Sequence, residues 1–143
     1  MKSRILVFIQ FLCIFLMILP LGGEVQNLYS GLVIISAGII VGLFALKAHT
    51  PGNFNIRPDI KENCTLVSHS IYKYIRHPMY ASVLLSMFGV LVLYANIYVS
   101  ILYVILLANM LTKMFYEEFL WHSKDENYKE YAQNTYRLIP YIF

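Results

Sequence analysis

Two stretches of this 143-residue chain gather the residue types that chemistry needs. The first, CTLVSHSIYKYIRHPMY at 64–80, packs Tyr72, Tyr74, Arg76, His77, Pro78 and Tyr80 into nine residues. The second, KMFYEEFLWHSKDENYKEYAQNTYRLIP at 113–140, opens with Lys113 and Glu117, four apart and therefore on one face of a helix, and adds a second acid at Glu118. Tyrosines and basic residues at such density also serve as anchors at lipid-headgroup depth, and paired acids suit a solvated helix end. Neither stretch by itself names a reaction. What is missing narrows the chemistry further. His49, His69, His77 and His122 lack the Cys/His or His/Glu spacing of a metal site, so no metal is expected. Cys13 and Cys64 fall in different parts of the chain and form no disulfide framework. A glycine-rich phosphate loop, an internal repeat and a nucleophilic triad are all lacking. The chemistry within reach is binding and positioning by tyrosine, histidine, lysine and glutamate.

The elements that must hold these residues are set by hydropathy. Hydrophobic residues make up 59% of the chain and charged residues 13%, about half the share of roughly 25% usual in soluble domains. A chain this short cannot hide so much apolar surface in water, and in a bilayer every backbone polar group must be paired internally, which leaves helices or a closed barrel. Four apolar runs, about 5–21, 28–46, 79–95 and 97–115, approach the ~20 residues that cross the hydrocarbon core. The expected fold is therefore all-α: a single polytopic membrane domain, 1–143, with four transmembrane helices. Lys2 and Arg4 ahead of the first run suggest a signal peptide, but the run is too long for one and no A-x-A site follows, so it reads as a retained helix ended by Pro20, Gly22 and Gly23. Asn96 between two apolar runs marks a tight turn, making helices three and four a hairpin, and Pro78 suits the first position of helix three, where its missing N–H costs nothing. Tyr128, Tyr131 and Leu138 punctuate a polar stretch ending in RLIP, read as a short amphipathic helix on the membrane surface with a proline stop.

Charge placement orients the bundle. All eleven Lys and Arg residues fall before helix one, between helices two and three, or at and beyond the end of helix four, and the two opposite connections, about 22–27 and Asn96, carry none. By the positive-inside bias both termini and the long middle segment are cytoplasmic. The net charge of +3 follows from topology and is no sign of nucleic-acid binding; the basic-aromatic array of single-strand binders is lacking. Small size and nearly absent outer loops lean toward a bacterial inner membrane, with the site facing the cytoplasm.

In combination, LVSHSIYKYIRHPMY, EEFL, YKEY and YRLIP resemble the isoprenylcysteine carboxyl methyltransferase family and its relatives among membrane phospholipid methyltransferases. The resemblance covers roughly the C-terminal 80 residues. It implies S-adenosylmethionine as cofactor, with Thr65, Leu66 and Val67 lining it, Tyr72, His77 and Tyr80 around it, and a glutamate at the end of helix four, Glu117 or Glu118, completing the site. Lys113 takes the place of the basic residue that faces the substrate in that family. Two departures stand out: Ser70-Ile71 where many members have Gly-Pro, and Lys113 where arginine is common. A lysine cannot make arginine's planar two-pronged grip on a carboxylate, so the acceptor is left open.

Methyl transfer from a sulfonium asks the protein to position two reactants and exclude water, without a covalent nucleophile or a metal. A carboxylate acceptor is ionised already, whereas an amine or thiol must lose a proton, for which His77 is the candidate base. The acceptor is thus a lipophilic carboxylate or, alternatively, a phospholipid amine or small thiol. A non-enzymatic membrane scaffold, with both motifs as interfacial anchors, is the rival of another class. A channel or transporter is disfavoured, because no apolar run has an ionisable residue at its middle.

Overall fold

The computed structural model describes residues 2–19, 23–49, 55–60 and 64–143. Among them the chain is all-helical: α1 Lys2–Ile18, α2 Leu28–Lys47, a 3-10 turn Ser70–Lys73, α3 Pro78–Tyr94, α4 Ile97–Lys124 and α5 Asn127–Gln133. Helices α2 and α4 are long and apolar enough to cross a membrane; α1 and α3 have 17 residues each. Pro20 and Gly22, expected to end the first helix, lie outside the described residues, and Gly23 has a positive φ of 88°.

Helices α2 and α3 meet through small residues. The buried positions of α2 are Gly31, Gly38, Gly42 and Ala45, a stripe along one face, and Gly89 of α3 lies against Ile35. A Cβ on Gly89 would sit 2.6 Å from Ile35 Cγ1 and 2.7 Å from the Ile35 backbone nitrogen. Ser82 Oγ donates to Gly38 O at 2.7 Å across the seam. Such close backbone approach is how helices associate where apolar burial offers no driving force between them. Gly89→Val is therefore expected to destabilise the pair by about 1–3 kcal/mol through overpacking. Thermal unfolding in detergent measures it, and an unchanged midpoint contradicts the packing.

The α3–α4 connection is as tight as Asn96 suggests. Ala95 adopts the left-handed conformation at φ 46°, and the Asn96 side chain caps α4 by accepting from Val99 N at 2.9 Å. Helix α1 lies along α4, sharing a core of Cys13, Met17, Leu106 and Met110, with Asn109 Nδ2 donating to Leu6 O at 3.0 Å.

The helix boundaries differ from the sequence pattern in two places. The fourth apolar run ends near 115, but α4 continues to Lys124, because nothing from 113 to 124 breaks a helix and lysine, methionine, glutamate and leucine favour one. At ~1.5 Å per residue its 28 residues span about 42 Å, longer than the ~30 Å of a hydrocarbon core, so Glu117 and Glu118 lie on an overhang beyond the length that a membrane span needs. The tail helix is shorter than expected. It ends at Gln133 with Asn134 as C-cap, well before Pro140, and Tyr128 is buried in the protein against Trp121 and His122. Beyond α5 the chain folds back and pairs as one parallel β-bridge, Ile75 with Tyr136. Arg76 N donates to Tyr136 O at 2.7 Å, His77 N to Arg137 O at 3.0 Å and Tyr136 N to Tyr74 O at 3.0 Å.

Candidate active site

The overhang of α4, the 70–80 segment and α5 enclose a cavity of about 350 Å³ with α1 and the 55–60 loop. Thr65, Leu66, Val67, Tyr72, His77, Tyr80, Lys113 and Glu117 all line it. Glu118 is not among the lining residues. Consecutive helical residues point about 100° apart, so one rotation of α4 sends the two glutamates to different places.

Glu117 faces the cavity. Its side chain is 29% exposed, and its Oε2 accepts from Tyr80 Oη at 2.7 Å. Its carboxylate charge also reaches the phenols and imidazoles around it. The Tyr72 hydroxyl is pushed far above the ordinary phenol range, first by burial and then by the Glu117 charge. Tyr131 is raised in the same sense, by burial first. Both phenols stay protonated donors: Tyr131 Oη donates to Tyr72 O at 2.7 Å, and Tyr72 Oη lies 2.7 Å from His49 Nε2. Burial pushes His49 below the ordinary imidazole range, with Glu117 opposing it.

Glu118 is 8% exposed at its side chain and sits in an ion cluster behind the cavity. Its Oε1 accepts from Arg76 Nε at 3.0 Å and lies 3.3 Å from His77 Nε2, and its Oε2 accepts from Arg137 Nε at 3.1 Å. Arg76 also donates to the carbonyls of Ala132, at 2.8 Å, and of Thr135. A buried carboxylate is tolerated only with such partners. The cluster therefore fastens the α3 entrance to α4 and to the chain after α5. His77 bridges the two glutamates, with Nδ1 4.0 Å from Glu117 Oε2, and its ring stacks on Tyr80 at 5.4 Å with planes 4° apart. This geometry suits orienting Tyr80 and Glu117 better than abstracting a proton in the cavity.

Lys113, one turn before Glu117, is 1% exposed. Its ammonium donates to Gln10 Oε1 at 2.5 Å and Ile56 O at 3.2 Å, and lies 5.3 Å from the Tyr80 ring centre. Several lining residues had no role in the sequence reading: Gln10, His49, Trp121 and, as a fastener, Arg76. Of these Gln10 had the clearest signal, an amide inside an otherwise apolar run. Among the described residues no group of three His, Cys, Asp or Glu side chains is arranged to hold a metal ion, and both cysteines are free.

The family model of the isoprenylcysteine carboxyl methyltransferase (ICMT) family matches residues 31–120. Two curated proteins named "Probable protein-S-isoprenylcysteine O-methyltransferase", from Oryza sativa subsp. indica and subsp. japonica, are each 30% identical over 117 residues, or 80% of this chain. The chain spans 61% of the length of these relatives. No solved structure matches.

Proposed function

Because the chain belongs to the isoprenylcysteine carboxyl methyltransferase family, we propose that it is an integral-membrane, S-adenosylmethionine-dependent methyltransferase acting on the carboxylate of a lipophilic acceptor. The observation that carries this reading is one cavity in which an aromatic wall, a half-open carboxylate and a buried lysine converge. Its volume lies within the ~300–1,000 Å³ usual for small-molecule sites.

The residues present fit the cofactor. Leu66, Val67 and Met79 offer apolar surface for a purine, and Glu117 can accept hydrogen bonds from ribose hydroxyls or an amino group. The face of Tyr72 can stabilise a cation, whereas the Tyr80 ring is already stacked on His77 and lies 5.3 Å from the Lys113 ammonium. When bound, S-adenosylmethionine supplies an electrophilic methyl group, whose S–CH3 bond breaks as the acceptor's O–CH3 bond forms, leaving a thioether and a methyl ester.

The chain's own contribution is placement. Lys113 offers an ammonium to the acceptor carboxylate from one helical turn below Glu117. An ionised carboxylate needs no base, which agrees with His77 acting through Tyr80 and Glu117. Helices α1–α4 form four spans in this reading, and the Lys and Arg distribution puts the cavity on the cytoplasmic side. A lipid-tailed acceptor then reaches the cavity from the bilayer while the cofactor arrives from water.

Calorimetric titration of S-adenosylhomocysteine into the purified protein is the primary test; a well-folded protein that does not bind it removes this reading. Labelled methyl donor offered with N-acetyl-S-farnesylcysteine, phospholipid amines and small thiols then identifies the acceptor class, and methylation of amines or thiols alone overturns the carboxylate assignment. Lys113→Met is expected to raise KM for the carboxylate acceptor at least about tenfold, the worth of one charge-assisted hydrogen bond, with S-adenosylhomocysteine affinity little changed.

A further inference from the structure

Lys113 does not stand alone at the acceptor end of the cavity. Gln10 of α1 is 7% exposed, lines the same cavity and lies outside the segment matched by the family model. Its Oε1 is 2.5 Å from Lys113 Nζ. An ammonium has donors only, so this contact fixes the amide's orientation: the oxygen turns to the lysine and the Nε2 donors turn away from it. The ammonium has three donors, of which Gln10 Oε1 and Ile56 O take two. Among the described residues, one Lys113 N–H, with the Tyr80 ring 5.3 Å from the ammonium, and the amide N–H groups of Gln10 have no hydrogen-bond acceptor, on two helices that pack side by side.

We propose that Gln10 and Lys113 form a composite two-point carboxylate site, in which the amide of α1 supplies the second donor that a lysine lacks. This rests on the methyltransferase reading above and deepens it, by assigning acceptor recognition to a helix that otherwise only packs. Two oxygens of one carboxylate are matched by two donors of different charge, so the site selects a carboxylate over a neutral amide of the same shape. An arginine would make this grip unaided; here it is divided between α1 and α4, and Gln10 holds the ammonium in place as well as touching the acceptor.

The test compares binding of N-acetyl-S-farnesylcysteine and of its carboxamide, by calorimetry, in the wild type, Gln10→Met and Gln10→Glu. Wild type is expected to prefer the carboxylate at least about tenfold. Gln10→Met, close in shape but without donors, is expected to lose most of that preference. Gln10→Glu keeps an acceptor for Lys113, and so keeps the helix contact, but turns a negative charge toward the ligand and is expected to abolish the preference. Both variants should bind S-adenosylhomocysteine within about twofold of wild type, which also reports that they fold. An unchanged carboxylate preference in both variants, with that affinity intact, overturns the composite site alone. Loss of S-adenosylhomocysteine binding by the wild type removes the methyltransferase reading itself.

Discussion

Glu117→Gln is expected to weaken S-adenosylhomocysteine binding by about 1.5–3 kcal/mol, roughly 10- to 150-fold, the worth of a hydrogen bond to a charged group. The amide still accepts from Tyr80 Oη, now 2.7 Å from Oε2, so the wall of the cavity stays in place and the loss reports the carboxylate's charge. Glu117→Ala should cost more, since the Tyr80 hydroxyl then loses its acceptor as well. Calorimetry reads the affinity, and circular dichroism through a thermal ramp reads the fold. Near-normal affinity in both variants would mean that Glu117 does not face the cofactor.

The second large effect is expected at Arg76, and in stability before binding. Arg76→Met removes the guanidinium from a carboxylate that is 8% exposed, and Arg137, the remaining guanidinium partner, is far more open to water at 36%. Breaking a buried ion pair from one side costs about 3–5 kcal/mol, because the other charge stays buried. Arg76→Met should therefore lower the unfolding midpoint more than Gly89→Val does. Arg76→Lys should rescue little, since a single ammonium cannot match a guanidinium that reaches Glu118 through Nε while its other arm holds the carbonyls of Ala132 and Thr135. Adding Glu118→Leu to Arg76→Met is expected to recover part of the loss by removing the stranded charge. If the double variant is as unstable as the sum of the two single ones, the pair is not coupled.

Local chemistry made parts of this arrangement legible in the sequence. Pro78 suits the first position of a helix and Asn96 marks a turn; the structure has both, and Asn96 also caps α4. Tyr72, Tyr80 and Glu117 meet in one cavity, as the pairing of the two motifs suggested, while Tyr74 of the same segment is exposed. Two neighbouring glutamates cannot be told apart by type, and only the rotation of α4 sends one to the cavity and the other to Arg76. Gln10 shows in the sequence only as an amide inside an apolar run; its meaning depends on Lys113, 103 positions away. The fit of Gly31, Gly38 and Gly42 against α3 depends on backbone approach, which hydropathy does not register.

The bridge between Ile75 and Tyr136 also bears on biogenesis. The ribosome delivers Arg76 and His77 some sixty residues before Tyr136 and Arg137, the partners whose backbone holds them. Glu118 likewise takes its second guanidinium from Arg137, nineteen residues further along the chain. Closure of the site is thus tied to a segment made after α4, and a chain truncated before residue 134 carries all four long helices but lacks the backbone that clasps Arg76 and His77.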